Sequence, residues 1–321
     1  QFDKLIFYSF SIFLISILVL LLNYLFCRKN FLETKFSWYW NYLMFKEMMS
    51  YSFWSLFGAM ASLARNQGIN IILGIFFNPA INAARGISYQ VNDGITQLSN
   101  NFFTAVRPQI TKNYARNDYE SMLILMFRSS RFSFYLLMLI SIPLMLETSF
   151  IFKIWLVETP DFSVLFTRLV IITSLIDALG YPLITAINST GKIKWYQIIT
   201  GTILIMTLPI SYLFLKLGYP PESTMYVAIF ISLAAQFSRL KFIKYFYKVN
   251  IWTYFIKVIF VILIVSLLST IPPILIISFF PYGMTRLLST IFISFLSSIF
   301  AIYLFGITKS ERIYINNFVK E

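Results

Sequence analysis

Between Asn78 and Arg116 the sequence reads NPAINAARGISYQVNDGITQLSNNFFTAVRPQITKNYAR. The stretch is too apolar for a solvated loop and too polar for a helix facing lipid. At helical spacing Arg85, Tyr89, Asn92, Asp93, Thr96, Gln97, Asn100 and Thr104 follow one another by three or four residues and share a face. Ile87, Val91, Ile95, Leu98 and Phe102 occupy the opposite one. Lipid cannot satisfy a polar stripe, so at bilayer depth this one must turn toward protein or a water-filled cavity. A second row, Ser52, Ser55, Gly58, Ser62, Arg65, Asn66 and Asn70, precedes it at the same spacing. Its small residues suit close helix packing and its last three suit the same cavity, so the two helices are expected to face each other.

The chemistry on offer is anion binding. A guanidinium binds phosphate oxygens bidentately and stays charged when desolvated, which makes Arg65 and Arg85 candidate phosphate ligands. Asn66, Asn70, Asn92, Gln97, Asn100 and Asn101 offer hydrogen bonds to sugar hydroxyls. The competing reading is structural: Arg65 pairs with Asp93 and Arg85 snorkels to the interface, offsetting the roughly 2.5 to 3.5 kcal/mol that an arginine costs at a helix centre. Asp93 and Asp177 are candidate ion-coupling carboxylates, because an intramembrane acid switches between a neutral and an arginine-paired charged form. Gly180 and Pro182, just after Asp177, predict a bent or locally opened helix. No catalytic or metal site is expected, and neither is a cofactor. The chain has no histidine and one cysteine, Cys27, with no glycine-rich phosphate loop and no nucleophile beside a base.

Composition dictates what must position these residues. With 58% hydrophobic and 12% charged residues and a mean hydropathy of +0.74, the chain is expected to be an all-α polytopic membrane protein. A net charge of +13 would suggest nucleic acid in a soluble chain, but here the bases fall between apolar runs, as in cytoplasmic loops, and no nucleic-acid partner is expected. About nine spans are expected, near residues 5–26, 42–77, 78–107, 132–152, 164–187, 194–217, 225–242, 251–271 and 286–307. Residues 31–42 suit an interfacial lead-in, and Pro272 and Pro273 are expected to end the eighth span. Base-rich and base-poor loops alternate, which predicts an external start and a cytoplasmic C-terminus; Arg65, Arg85 and Lys257 are left inside spans.

The segment SLARNQGINIILGIFFNPAINAARGISYQVNDGITQLSNNFFTAVRPQITKNYA, with SSRFSFYLLMLISIPL and PLITAINSTGKIKWYQ after it, resembles the bacterial polysaccharide flippases. These MATE-like proteins belong to the multidrug/oligosaccharidyl-lipid/polysaccharide exporter superfamily and include the O-antigen flippases. NAARG at 82–86 and RPQITK at 107–112 are the most specific pieces. The resemblance implies one six-helix lobe over 31–248, preceded at 1–30 by the last helix of a mostly missing N-terminal lobe and followed at 249–321 by two additional helices and a tail. It implies alternating-access export of an oligosaccharide linked to undecaprenyl diphosphate across the bacterial plasma membrane, with Arg65 and Arg85 on the diphosphate. Membrane lipids, H+ or Na+, the missing lobe and polysaccharide-assembly enzymes are the implied partners. A MATE-type multidrug or cation antiporter is the alternative, kept open by Asp93 and Asp177. A membrane polymerase or ligase is a third class, disfavoured by short external loops without histidine.

Overall fold

A computed structural model describes residues 4–31, 34, 38–308 and 311–312. Among them the chain is helical throughout, without strands, and it is an all-α polytopic membrane protein. Two compact units are formed, residues 1–49 and 50–321.

The first unit carries helix α1 (Lys4–Asn30). Its side chains from Ile6 onward are exposed apart from the half-buried Ser11 and Cys27, the surface of a helix solvated by lipid. The expected interfacial segment lies partly outside the described residues, Glu33 and Lys35 among them; Trp38, Tyr39 and Trp40 are exposed.

The second unit begins within α2 (Tyr42–Phe76). It continues with α3 (Pro79–Ala115), α4 (Tyr119–Trp155), α5 (Ser163–Ala178), α6 (Gly180–Ser189), α7 (Lys194–Ile205), α8 (Thr207–Lys216) and α9 (Ser223–Tyr247). The last elements are α10 (Ile251–Tyr254), a π-helical turn at Phe255–Phe260, α11 (Val261–Phe279), α12 (Met284–Ala301) and a second π-helical turn at Ile302–Gly306. Helix α3 lies against α4, α5 and α6; α9 gathers α5, α7 and α8; α11 and α12 pair and dock on α4.

Among the described residues, seven helical stretches are long and apolar enough to cross a membrane. The two expected spans outside that set are α2 and α3, which have the length, 35 and 37 residues, but carry the polar rows described above. Several expected boundaries are also corrected. Helix α4 starts at Tyr119, not near 132, because Asp118 caps it, accepting from the Ser121 backbone N–H at 3.0 Å. Arg128 and Arg131 therefore stand on a helix and not in a loop. Helix α3 runs through Pro108 to Ala115. Pro272 and Pro273 lie inside α11; Pro273 cannot donate to the Ser269 carbonyl, and Ser297 of α12 donates to it instead at 2.9 Å. The bend expected after Asp177 is a break at Leu179 between α5 and α6. The Leu179 carbonyl accepts from Ser130 Oγ at 3.2 Å and Tyr254 Oη at 3.4 Å. A similar break at Met206, just before Pro209, divides α7 from α8.

Packing follows the logic of a lipid solvent, in which large apolar side chains gain nothing from burial and small ones let backbones approach. On α11 and α12, Leu263, Leu267, Phe292 and Leu296 are exposed, while Ser269, Thr290, Ser294 and Ser298 are fully buried. Helix α3 buries Ser88, Asn92 and Ser99. Ser88 Oγ donates to the Ser163 carbonyl at 3.2 Å and Ser99 Oγ to the Ser133 carbonyl at 2.9 Å. The packed seam of α3 is thus small and polar; of the expected apolar face only Ile95 is buried, and Leu98 is exposed.

Candidate functional site

Helices α2, α3, α5, α6, α7 and α9 surround a cavity of about 390 Å³. Each contributes by its period. From α3 come Tyr89, Asn92, Asp93, Thr96 and Asn100, spaced by three or four residues; from α2, Ser62, Arg65 and Asn66; from α5, Thr173, Ser174 and Asp177, one turn apart. Tyr181 of α6, stacked on Phe103 with ring centroids 5.8 Å apart, and Arg239 of α9 complete the polar wall. Asp93 and Asn100 are exposed, so the cavity opens past them.

Arg65 holds three elements together. Its Nη1 lies 3.6 Å from Asp177 Oδ2, and its Nη2 donates to Ser232 Oγ at 2.7 Å and to the Ala228 carbonyl at 3.3 Å. The carboxylate partner of Arg65 is therefore Asp177 and not Asp93. Asp93 has no ion pair among the described residues. The second Asp177 oxygen, Oδ1, is buried without a hydrogen-bond partner, as is Asn92 Oδ1.

Arg239 is 6% exposed and has no carboxylate within ion-pair distance among the described residues. Its Nη1 donates to Gln236 Oε1 at 3.3 Å, and its Nε has no partner. The guanidinium reaches the wall only because residue 180 is glycine: a Cβ there would stand 2.5 Å from Arg239 Nη1. The expected span at 225–242 ends among Arg239, Lys241, Lys244 and Lys248, which the charge pattern assigns to the following loop, so Arg239 is not among the expected ligands. The available signal was the row Ser232, Gln236, Arg239, spaced by four and three on an apolar helix.

Other expected ligands are elsewhere. Arg85 does not snorkel and does not line the cavity; it is 5% exposed. It donates to the Asn70 side-chain oxygen and, from Nη2 at 3.0 Å, to the Asn66 carbonyl, with its guanidinium 4.3 Å from the Tyr89 ring centroid. Asn70 is thereby occupied as the other half of this clamp between α2 and α3, which do face each other here. Gln97 and Asn101 are exposed on α3 away from the cavity wall. The cavity thus brings together Arg65, Asn66, Asn92, Asp93, Asn100 and Asp177 of the expected set, and leaves out Asn70, Arg85, Gln97 and Asn101.

The cavity carries groups suited to binding rather than to covalent chemistry. Two arginines and two aspartates share it, one arginine paired and one not, among hydroxyl and amide groups. Among the described residues no cluster of histidine, cysteine, aspartate or glutamate is placed to hold a metal ion. Comparison with protein-family models, with curated proteins and with solved structures finds no match for this chain.

Proposed function

We propose that this protein is a transporter of the polysaccharide-flippase kind, moving an oligosaccharide linked to undecaprenyl diphosphate across the bacterial plasma membrane, with its C-terminus in the cytoplasm. The observation that carries the reading is Arg239, a buried guanidinium in a polar cavity with no carboxylate partner among the described residues. Desolvated arginine without a counter-charge is costly, and an anionic ligand removes that cost. A diphosphate supplies two adjacent anionic groups. Arg239 takes one; Arg65 takes the other by exchanging its contact with Asp177. Because Arg65 joins α2 to α5 and α9, the exchange loosens one helix from the others, the kind of differential contact that couples binding to a change of state. Asn66, Asn92 and Asn100 suit the sugar hydroxyls. The alternation of basic and neutral loops supports the orientation.

A second reading, export of cations against H+ or Na+, is favoured by Asp93, a carboxylate at the cavity with no ion pair. One experiment separates the two. The reading frame encoding this chain, expressed in a bacterial strain whose polysaccharide flippase is deleted, is expected to restore surface polysaccharide. Arg65→Gln and Arg239→Gln are each expected to abolish that restoration at unchanged membrane level. Full restoration by both variants overturns the diphosphate assignment, and resistance to cationic drugs without surface polysaccharide establishes the second reading.

A further inference from the structure

We propose that a lateral groove between α4, the π-helical turn at Phe255–Phe260 and the second π-helical turn at Ile302–Gly306 holds an anionic glycerophospholipid of the surrounding membrane, its phosphate on Lys257 and Arg131 beside Arg128. The groove measures about 470 Å³, and its walls include Phe127, Val261 and Phe305. It is separate from the polar cavity and shares no residue with it.

Lys257 sits six residues into its helix, about 9 Å from the start at the α-helical rise. Its neighbours Ile256 and Phe260 are 59% and 54% exposed, a surface that hydrocarbon covers and water does not. The Lys257 ammonium is exposed and has no hydrogen-bond or ion-pair partner among the described residues. Widening of the helix into a π turn at this point is a departure that concentrates at functional sites. Across the groove Arg131 is 6% exposed, and its Nε has no hydrogen-bond partner. Among the described residues one carboxylate serves this end of α4: Glu311 accepts from Arg128 Nε at 2.9 Å and from Arg131 Nη2 at 3.3 Å. Lys257 is not in contact with it, and its positive charge lies at the rim of an apolar slot. A phosphate attached to acyl chains complements both halves; a soluble anion complements only one.

Native mass spectrometry of the purified protein tests this, with palmitoyl-oleoyl-phosphatidylglycerol against the matched phosphatidylethanolamine. A preference of about tenfold for phosphatidylglycerol is expected, falling about fivefold in Lys257→Gln and unchanged in Lys241→Gln, an exposed base on α9 outside the groove. Glu311→Gln is expected to tighten binding, because it removes the carboxylate that competes for the two arginines; a merely structural clip would not give that sign. Equal binding of the two lipids, or equal loss in Lys257→Gln and Lys241→Gln, overturns the proposal. So does competition by sn-glycerol 1-phosphate at the same concentration, which would make this a site for soluble phosphate. Because the readout is phospholipid on the purified protein, it stands or falls separately from transport through the cavity.

Discussion

At the scale of single residues, the two buried arginines that lack a carboxylate partner have opposite roles. Arg85 is saturated by Asn70, the Asn66 carbonyl and the Tyr89 ring. Arg85→Met leaves those acceptors unpaired and is expected to lower stability by about 1 to 3 kcal/mol, read as a fall in melting temperature of the purified protein. Arg239 has unused donor capacity. Arg239→Gln is expected to leave the melting temperature nearly unchanged while weakening binding of undecaprenyl diphosphate by about 10- to 100-fold, the worth of a charge-assisted hydrogen bond. Gly180→Ala should have the same functional effect, since the added Cβ meets the mobile end of Arg239 and pushes it from the wall. At the mouth of α4, the Ser121 side chain and backbone N–H hold the Asp118 carboxyl below the usual carboxylate range. A depressed acid stabilises the fold above its unfolded value, and that contribution is lost as pH falls through the lower folded value. Hydrogen exchange of the first turn of α4 should therefore rise as wild type is acidified, whereas in Asp118→Ala it should already be high at neutral pH and respond little to acid.

At the scale of elements, the buried pair Glu147–Arg286 clips α12 to the kink of α4. Glu147 is 1% exposed and departs from helical geometry; it accepts from Arg286 Nη2 at 2.8 Å and from Thr290 Oγ1 at 3.4 Å. Arg286→Gln strands a buried charge and is expected to cost about 3 to 5 kcal/mol, with the double variant Glu147→Gln/Arg286→Gln recovering most of it in thermal melts. The sequence disclosed α2 and the start of α3 almost to the residue, because their polar rows keep a helical period and because Asn78–Pro79 is a strong start signal, but it ended α3 near Arg107, before Pro108, and the helix runs on to Ala115. It did not disclose that Pro272 and Pro273 sit inside α11, since the hydroxyl that donates to the freed Ser269 carbonyl is Ser297, on another helix. The site was legible by half. Arg65, Asn92, Asp93, Asn100 and Asp177 announced themselves by spacing, whereas Asn70 and Arg85 have the same residue types and spacing and differ only in having found each other. Arg239 depended on a glycine on a different helix.

At the scale of the whole molecule, the exposed surface is large and apolar, while the interior combines large buried side chains such as Tyr135, Phe152 and Phe166 with serine, threonine and arginine contacts between helices. The orientation proposed above has a direct check. With Cys27 replaced by serine, Lys192→Cys should react with a membrane-impermeant maleimide only from the cytoplasmic side and Lys216→Cys only from outside; the reverse pattern inverts the topology. The π-helical turn at Phe255–Phe260 also bears on how this protein can change over evolutionary time. A π turn holds one residue more than the α turn it replaces. Deleting one residue there would restore a regular helix and rotate everything before it by about 100°. Tyr254, now 1% exposed and donating to the Leu179 carbonyl, would swing away from the break beside Asp177. A chain shorter by a single codon at this turn would leave the Leu179 carbonyl with the Ser130 hydroxyl alone of its two side-chain donors.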